Sequence, residues 1–528
     1  MAWAVVTALA VPALGWAQTG QSSATSGGIQ IQAQDRYVVG RALPPDVAGA
    51  QRLDMTLEQA IERALEKNLD IKSAQLAPQM QDYTLQAARA NFRPTLNGTG
   101  SYNNSSRNGT SQLEGGRTTT QAYSLNGGIS QRLPWQGAQL SFNVSNNRSS
   151  SDDPFATFNP QYRSNMSLQY SQPLLAGRTI DSQRNSLRTG EIQKQITDIA
   201  LLRQVETIKN QVRQRYWALR QAIELIEIQR RSLDLSNRQL ADNKIKVEIG
   251  TMAEIDLVQQ EAQIAQGEQS LLAAEVAWRN AELAFKRLLV DSTEDEFFRS
   301  TINPVDQPSF AVTEVDIPAA VQRAIADRTD IVTARQQLQI AELNLELSKN
   351  GIMPSLGLNA SFQAAGVGGD QYQRQGLGGL PVLISEGGYF DALQQIGRLD
   401  TPTWQVSLNF SKPLGLSAAK ANHLRSELSY EQQETQLKAT ELDIQTAVTT
   451  AGLDVRSTYL QLLAAQKTRE AAERSLEAEL TRFQVGMSTN FQVIQLQNQL
   501  TSARNNELSA TIRYINAVAE FDRVQRIQ

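Results

Sequence analysis

The 528-residue chain has no cysteine and a single histidine, His423. Disulfides, thiolate metal sites, cysteine nucleophiles and any site built on two histidines are thereby excluded. Long apolar runs are also missing. Beyond the N-terminus no stretch of about 18 apolar residues occurs, so this is not a polytopic helical membrane protein. Neither sign of charge is in strong excess. The net charge of −4 is too weak, and of the wrong sign, for a nucleic-acid binder. With 41% hydrophobic and 20% charged residues the chain is not disordered either. Acidic groups such as Asp152-Asp153 and Glu294-Asp295-Glu296 are scattered and read as solvated, and His423 reads as a surface or packing residue. No catalytic, cofactor or metal site is expected, and the composition points to a structural or conducting protein rather than an enzyme.

What the sequence does contain begins with an apolar run from Ala2 to Trp16, followed by the small residue Ala17. This is the pattern of an export signal, with cleavage expected after residue 17, although the basic residues that usually precede such a run are missing. The competing reading is a buried N-terminal helix. No cysteine follows the cleavage point, so an acylated lipoprotein anchor is excluded. Residues 18–52, rich in Gly, Ser, Gln and Pro, read as a flexible leader.

The rest is duplicated. Residues 57–102 align without a gap on residues 317–362, at a constant offset of 260. Ala60, Arg63, Asp70, Leu85 and Pro94 meet Ala320, Arg323, Asp330, Leu345 and Pro354. Ser171-Gln172-Pro173-Leu174 matches Ser411-Lys412-Pro413-Leu414, and Gly250 pairs with Gly486. A fixed order of blocks occurring twice defines repeats at 53–301 and 317–528, joined by a linker at 302–316.

Within each repeat the apolar period changes twice. Ile61, Leu65, Leu69, Leu76 and Met80 recur at helical spacings. Pro94 and Pro354 stop the helices, because proline lacks a donor and crowds the preceding turn. Alternation then takes over, as in Leu356, Leu358, Ala360, Phe362 and later in Trp404, Val406, Leu408, Phe410, with Ser, Asn, Gln and Thr between them. Period two gives one apolar and one polar face. Helix returns after Pro173 and Pro413. From Glu191 to Ile249 there is neither Gly nor Pro, which allows a helix of about 90 Å. A seven-residue stripe runs through it: Val205, Val212, Leu219, Ile226, Leu233, Leu240, Val247. The second repeat carries Val448, Val455, Leu462, Leu476 and Phe483, interrupted by Arg469. So narrow a stripe implies coiled-coil-like packing. Gly250 and Gly486 end these helices, and a returning helix follows each, making antiparallel hairpins.

Exported strands with one polar face suit a soluble sandwich or a membrane barrel, and such long helices do not pack on a small sandwich. In hydrocarbon a sheet must close, since unpaired edge groups cost several kcal/mol each. Two clear strands per repeat give four per chain, too few for one chain to close a barrel, so oligomerisation is expected. Tyr102, Phe362, Tyr170, Trp404 and Phe410, near strand ends, suit an interfacial girdle.

The Thr56-Leu57-Glu58-Gln59-Ala60 start, the Pro94-Thr95-Leu96 junction, Gln172-Pro173-Leu174-Leu175, the run from Arg482 to Thr489 and the stretch from Tyr514 to Arg523 resemble the TolC family of outer-membrane efflux proteins. The resemblance covers residues 53–528. It implies a mainly α fold with a membrane β-barrel: a homotrimer whose four strands per chain build one 12-stranded barrel, continued by a periplasmic α-helical tunnel. It also implies an exit duct in the outer-membrane lipid, working with a periplasmic adaptor (membrane fusion protein) and an inner-membrane pump of the RND, ABC or MFS type. By the same resemblance, Gly250, Thr251, Met252, Val485, Gly486, Met487, Ser488 and Thr489 are hairpin tips where an adaptor docks. Asp256, Gln492 and Gln495 then fall at the gate. The best-known members carry an acidic pair at the positions of Gln492 and Gln495, so a less cation-selective gate is expected.

The first repeat departs by an extra alternating pair. Tyr123, Leu125, Gly127 and Ile129 precede Leu140, Phe142 and Val144 across Pro134-Trp135-Gln136-Gly137. These are extra barrel strands or an extracellular hairpin, and the hairpin is the favoured reading. Small-molecule efflux is the leading function, protein secretion through an ABC-type exporter the alternative, and a non-membrane coiled-coil scaffold the distant third.

Overall fold

The computed structural model describes residues 41–46, 49, 51–108, 116–153, 155–307, 314–376, 379–412, 414–415 and 417–525. The export signal, most of the leader and Pro413 lie outside the described residues.

The duplication is visible in the elements. Helices α1 (Leu57–Lys67) and α2 (Leu69–Ala90) correspond to α6 (Ile317–Asp327) and α7 (Thr329–Gly351). The long helices α3 (Ser182–Glu248) and α9 (Ala418–Gln484) both have 67 residues. Their returning partners α4 (Glu254–Leu289) and α10 (Asn490–Gln525) both have 36. At 1.5 Å per residue, α3 and α9 are about 100 Å long. Polar caps set the starts: Thr56 and Gln59 form a capping box on α1, and the Asp181 carboxylate accepts from the N–H groups of Gln183 and Arg184. That cap starts α3 nine residues before Glu191, so the helix runs through Gly190.

The heptad stripe is buried where helices pack side by side, with Val212, Leu219 and Ile226 in one apolar cluster and Val448, Val455 and Leu462 in another. A third cluster lies near the hairpin tips, around Leu476, Leu480, Phe483, Val493 and Leu500. At the interruption, Arg469 pairs with Glu473 and Glu507, the latter at 2.7 Å. Burial pushes the Glu507 carboxyl above its usual range, against the pull of Arg469.

Parts of the leader and linker are structured. Strands β1 (Arg52–Met55) and β6 (Thr301–Pro304) pair in parallel, and the short helix α5 (Glu296–Arg299) precedes β6. Ala42 is buried: its N–H donates to Glu224 at 3.1 Å, and its carbonyl accepts from Arg220 at 3.1 Å. Arg220 also donates to the Pro304 carbonyl and pairs with Glu224 at 2.8 Å. The Tyr216 hydroxyl on the same helix lies 2.9 Å from the Asp306 carboxylate and 3.1 Å from the Met55 carbonyl, both acceptors for its one proton.

The sheet corrects the strand count. Strands β2 (Thr95–Asn108), β3 (Arg117–Arg132), β4 (Gln139–Ser151), β5 (Phe158–Pro173), β7 (Ser355–Arg374) and β9 (Pro402–Ser411) make one antiparallel sheet in that order. A short β8 (Pro381–Ser385) pairs with the end of β7. The chain therefore brings six long strands, not four. The extra pair is β3–β4, inserted between β2 and β5, not a hairpin standing beyond the sheet. Its turn at Pro134–Gly137 lies at the helix end of the sheet, where Gln172 donates to the Gln136 carbonyl. Continuous register across β2–β3, β3–β4 and β4–β5 holds the pair in place.

The second repeat also carries a Gly-rich stretch between residues 366 and 388, whose described residues are held by packing. It forms the end of β7, then β8, then α8 (Tyr389–Arg398), which lies on β7 and β5. A Cβ at Gly366 or Gly368 would come within 2.0–2.1 Å of carbonyls at Ala392 and Gly388, so only glycine admits this helix. Gln395 bonds both backbone groups of Val367, closing the β7 edge between β9 and β8.

Candidate functional site

Residues directly paired across antiparallel strands share a face. One row runs through all six long strands: Leu96, Ile129, Phe142, Leu168, Phe362, Trp404. Phe362 and Trp404, expected in a girdle, thus belong to a common apolar row. The neighbouring row on the opposite face reads Asn97, Gly128, Asn143, Ser167, Gln363, Thr403. That second face carries Ser, Thr, Asn and Gln along its length and, among the described strand residues, no acidic side chain. An aromatic cluster stands at the far end of the apolar face. Tyr102 and Tyr123 are 4.7 Å apart between ring centroids, and the Arg148 guanidinium lies over Tyr123 and Tyr162. Such a sheet presents lipid-compatible residues one way and water-compatible residues the other. No described helix is long and apolar enough to cross a membrane.

At the helix end, Pro94, Pro354 and Pro173 stand where helix and strand exchange. The N–H of Leu174 donates to the Leu356 carbonyl, and Asn350 accepts from Gly177 and donates to Thr179. Partial burial works against the Asp181 charge there. The N–H groups of Arg184 and Gln183 and the Arg184 guanidinium nevertheless hold its carboxyl below the usual carboxylate range.

At the opposite end the two hairpin tips repeat one construction. Gly250 and Gly486 both have φ +76°, with open space where a Cβ would stand. In each tip the following residue's N–H, from Thr251 or Met487, reaches back five residues to close the helix end at 2.9 Å, as in a Schellman cap. Met252 packs against the tip cluster, whereas Val485 and Met487 are exposed, together with Ile249, Ile255 and Phe491. Burial lowers the Lys246 pKa, which Asp242 partly offsets, and its ammonium sits 3.8 Å from the centroid of Phe483.

Asp256 is half-buried in the first turn of α4, while Gln492 and Gln495 are exposed on α10. Ser488 lies 2.9 Å from Gln492 Oε1 and also touches Glu479, and the Thr489 hydroxyl accepts from the Gln492 N–H. Glu479, on the preceding helix, is a carboxylate that the tip pattern did not reveal, and Arg482 lies 3.6 Å from it.

Sequence reasoning also missed a buried amide ladder just above the tips. Gln239 donates to Asn243, Asn243 to Asn490 at 2.8 Å, and Asn490 to the Asp256 backbone carbonyl at 3.1 Å. Gln260 adds a bond to the Ser236 carbonyl. The ladder ties the first hairpin to the second through side chains that are nearly fully buried. The available signal was the three- and four-residue spacing of Ser236, Gln239 and Asn243 on one helix face. His423 meets the Ser348 hydroxyl at 3.2 Å, a contact between α9 and α7.

The outer membrane protein TolC of Vibrio cholerae serotype O1 is 22% identical over 315 residues, which cover 58% of this chain and 64% of that protein. The outer membrane efflux protein BepC of Brucella suis biovar 1 is 20% identical over 463 residues, 87% of this chain and 82% of that protein. Among solved structures, the fold resembles CusC with a TM-score of 0.66 and 16% identity, over 91% of this chain and 95% of that one. The family profile described as "Outer membrane efflux protein" matches residues 60–289 and 320–524, both repeats in register with the architecture. The chain belongs to the outer membrane efflux protein family.

Proposed function

We propose that the protein is the outer-membrane exit duct of an efflux system, assembled from three copies with its helices in the periplasm. The observation that carries this reading is the two-faced sheet: an apolar row spanning six strands backs directly onto an uncharged polar row. Helices of about 100 Å leave one end of that sheet, long enough to reach far from a membrane. A wide polar passage needs no energy source of its own, so a periplasmic adaptor and an inner-membrane pump drive transport. The exposed apolar residues at the tips, Val485, Met487 and Phe491, provide the adaptor's docking surface.

The gate consists of Asp256, Gln492 and Gln495, brought together as copies converge at the tips. With two amides per copy in the ring, negative potential at the constriction is weak. In planar bilayers the purified protein is expected to give discrete conductance steps with little preference for cations. The Gln492→Asp/Gln495→Asp variant adds six carboxylates per trimer and should raise the cation-to-anion permeability ratio several-fold at about 0.1 M salt, with less effect at 1 M, where screening is shorter. An unchanged ratio at low salt would place these residues away from the constriction. Absence of conductance from folded protein would reject the duct.

A further inference from the structure

Among the described residues the two edges of the sheet are open. All 14 residues of β2 are exposed, as are all but one of the 10 in β9. Edge strands of this length with apolar side chains are templates for pairing with another chain. β2 leaves the helix end and β9 returns to it, so the edges run in opposite directions and a head-to-tail neighbour pairs antiparallel, as every pair within the sheet does. The face pattern also reaches both edges, with Leu96 on β2 and Trp404 on β9 in one row.

The sheet is already staggered for closure. Leu96 is the second residue of β2, counted from the helix end, whereas its row partner Trp404 lies seven residues short of Ser411 at the helix end of β9. The row therefore climbs by about 20 Å over five strand spacings of about 4.8 Å each, a tilt of about 40°. Closed barrels have strands tilted by about 35–45°.

We propose that three copies of this chain close an 18-stranded barrel, six strands from each, with β2 of one copy paired to β9 of the next. The proposal rests on the three-copy duct above and sets its width. At a tilt of about 40°, eighteen strands give a backbone radius of about 18 Å, against about 12 Å for twelve. Allowing about 5 Å for inward side chains, the clear width is about 25 Å instead of about 14 Å. The wall facing that space carries hydroxyls and amides, with Arg107, Arg132 and Arg163 as its charged strand residues. The barrel therefore passes bulky polar solutes without favouring cations.

The insertion is modular. Because two strands were added, Leu96 on β2 and Leu168 on β5 remain in the same row. Removing residues 117–153 leaves residues 109–116 and 154–157 to connect β2 directly to β5, with both faces preserved. Electron cryomicroscopy of the detergent-solubilised full-length protein counts the strands. Eighteen in a three-copy particle are expected. Twelve, with β3–β4 folded out of the wall, would overturn the proposal and leave the duct intact, whereas a particle that is not three copies would overturn both. The deletion variant provides a second reading through side-selective polymer exclusion in planar bilayers. Polyethylene glycol applied to the barrel mouth should enter the full-length protein at nearly twice the size that enters the variant. Equal cut-offs in two folded proteins would contradict the proposal, and if the variant does not fold the strand count decides.

Discussion

Replacing Arg220 with alanine is expected to destabilise the folded protein by about 3–5 kcal/mol, the range for removing one partner from a buried ion pair. Glu224 is fully buried and Arg220 nearly so, with the guanidinium 2.8 Å from the carboxylate. Arg220 also donates to the Ala42 and Pro304 carbonyls, so the same loss removes one bond from α3 to the leader and one to the linker. Most of the effect comes from taking away the guanidinium that lies against this buried carboxylate. The double variant Arg220→Met/Glu224→Leu, which removes both charges, should therefore lose less than Arg220→Ala alone. Denaturant or thermal unfolding in detergent measures both. A loss below about 1 kcal/mol for Arg220→Ala would mean that water reaches Glu224 and that this joint does not hold the repeats together.

Replacing Asn490 with leucine should loosen the tips. Asn490 bonds to both arms of the first hairpin, accepting from Asn243 on α3 and donating to the Asp256 carbonyl on α4. Its loss leaves the buried Asn243 amide without that acceptor. Such an orphan costs about 1–3 kcal/mol, or about 5–150-fold in an equilibrium that separates the hairpins. Single-channel recording should show open time rising by at least about fivefold, while Asn490→Gln, which keeps the amide, should lie between the variant and the parent. Unchanged gating would show that the hairpins move as one body when the duct opens, with the ladder a packing device only.

The large organisation was legible in the sequence because it rests on signals that act locally. Residues 57 and 317 open equal helices because each follows a side-chain cap, Thr56 or Asp316, and keeps the same apolar spacing, and Gly250 and Gly486 mark equal tips because both need a left-handed backbone. Pro94 and Pro354 mark the changes of period because proline ends a helix locally, lacking a donor and crowding the preceding turn. The number of strands was less legible. The turn at Pro134–Gly137 reads the same whether its hairpin joins the wall or stands beyond it, and only register with β2 and β5 decides. The β1–β6 pairing was hidden because four residues are too few to show a period. Asn243 and Asn490 were overlooked because amides on a long helix usually face water. Their burial depends on two hairpins meeting, which no single segment encodes.

The proposed duct needs walls shared between copies, because among the described residues the outer edges of β2 and β9 are unpaired within one chain. Native mass spectrometry of the protein extracted intact from outer membranes tests this most directly. A particle of three times the mature chain mass is expected, stable in detergent and resolved from any monomer. A folded, membrane-inserted single chain with the same helix and strand content would contradict it.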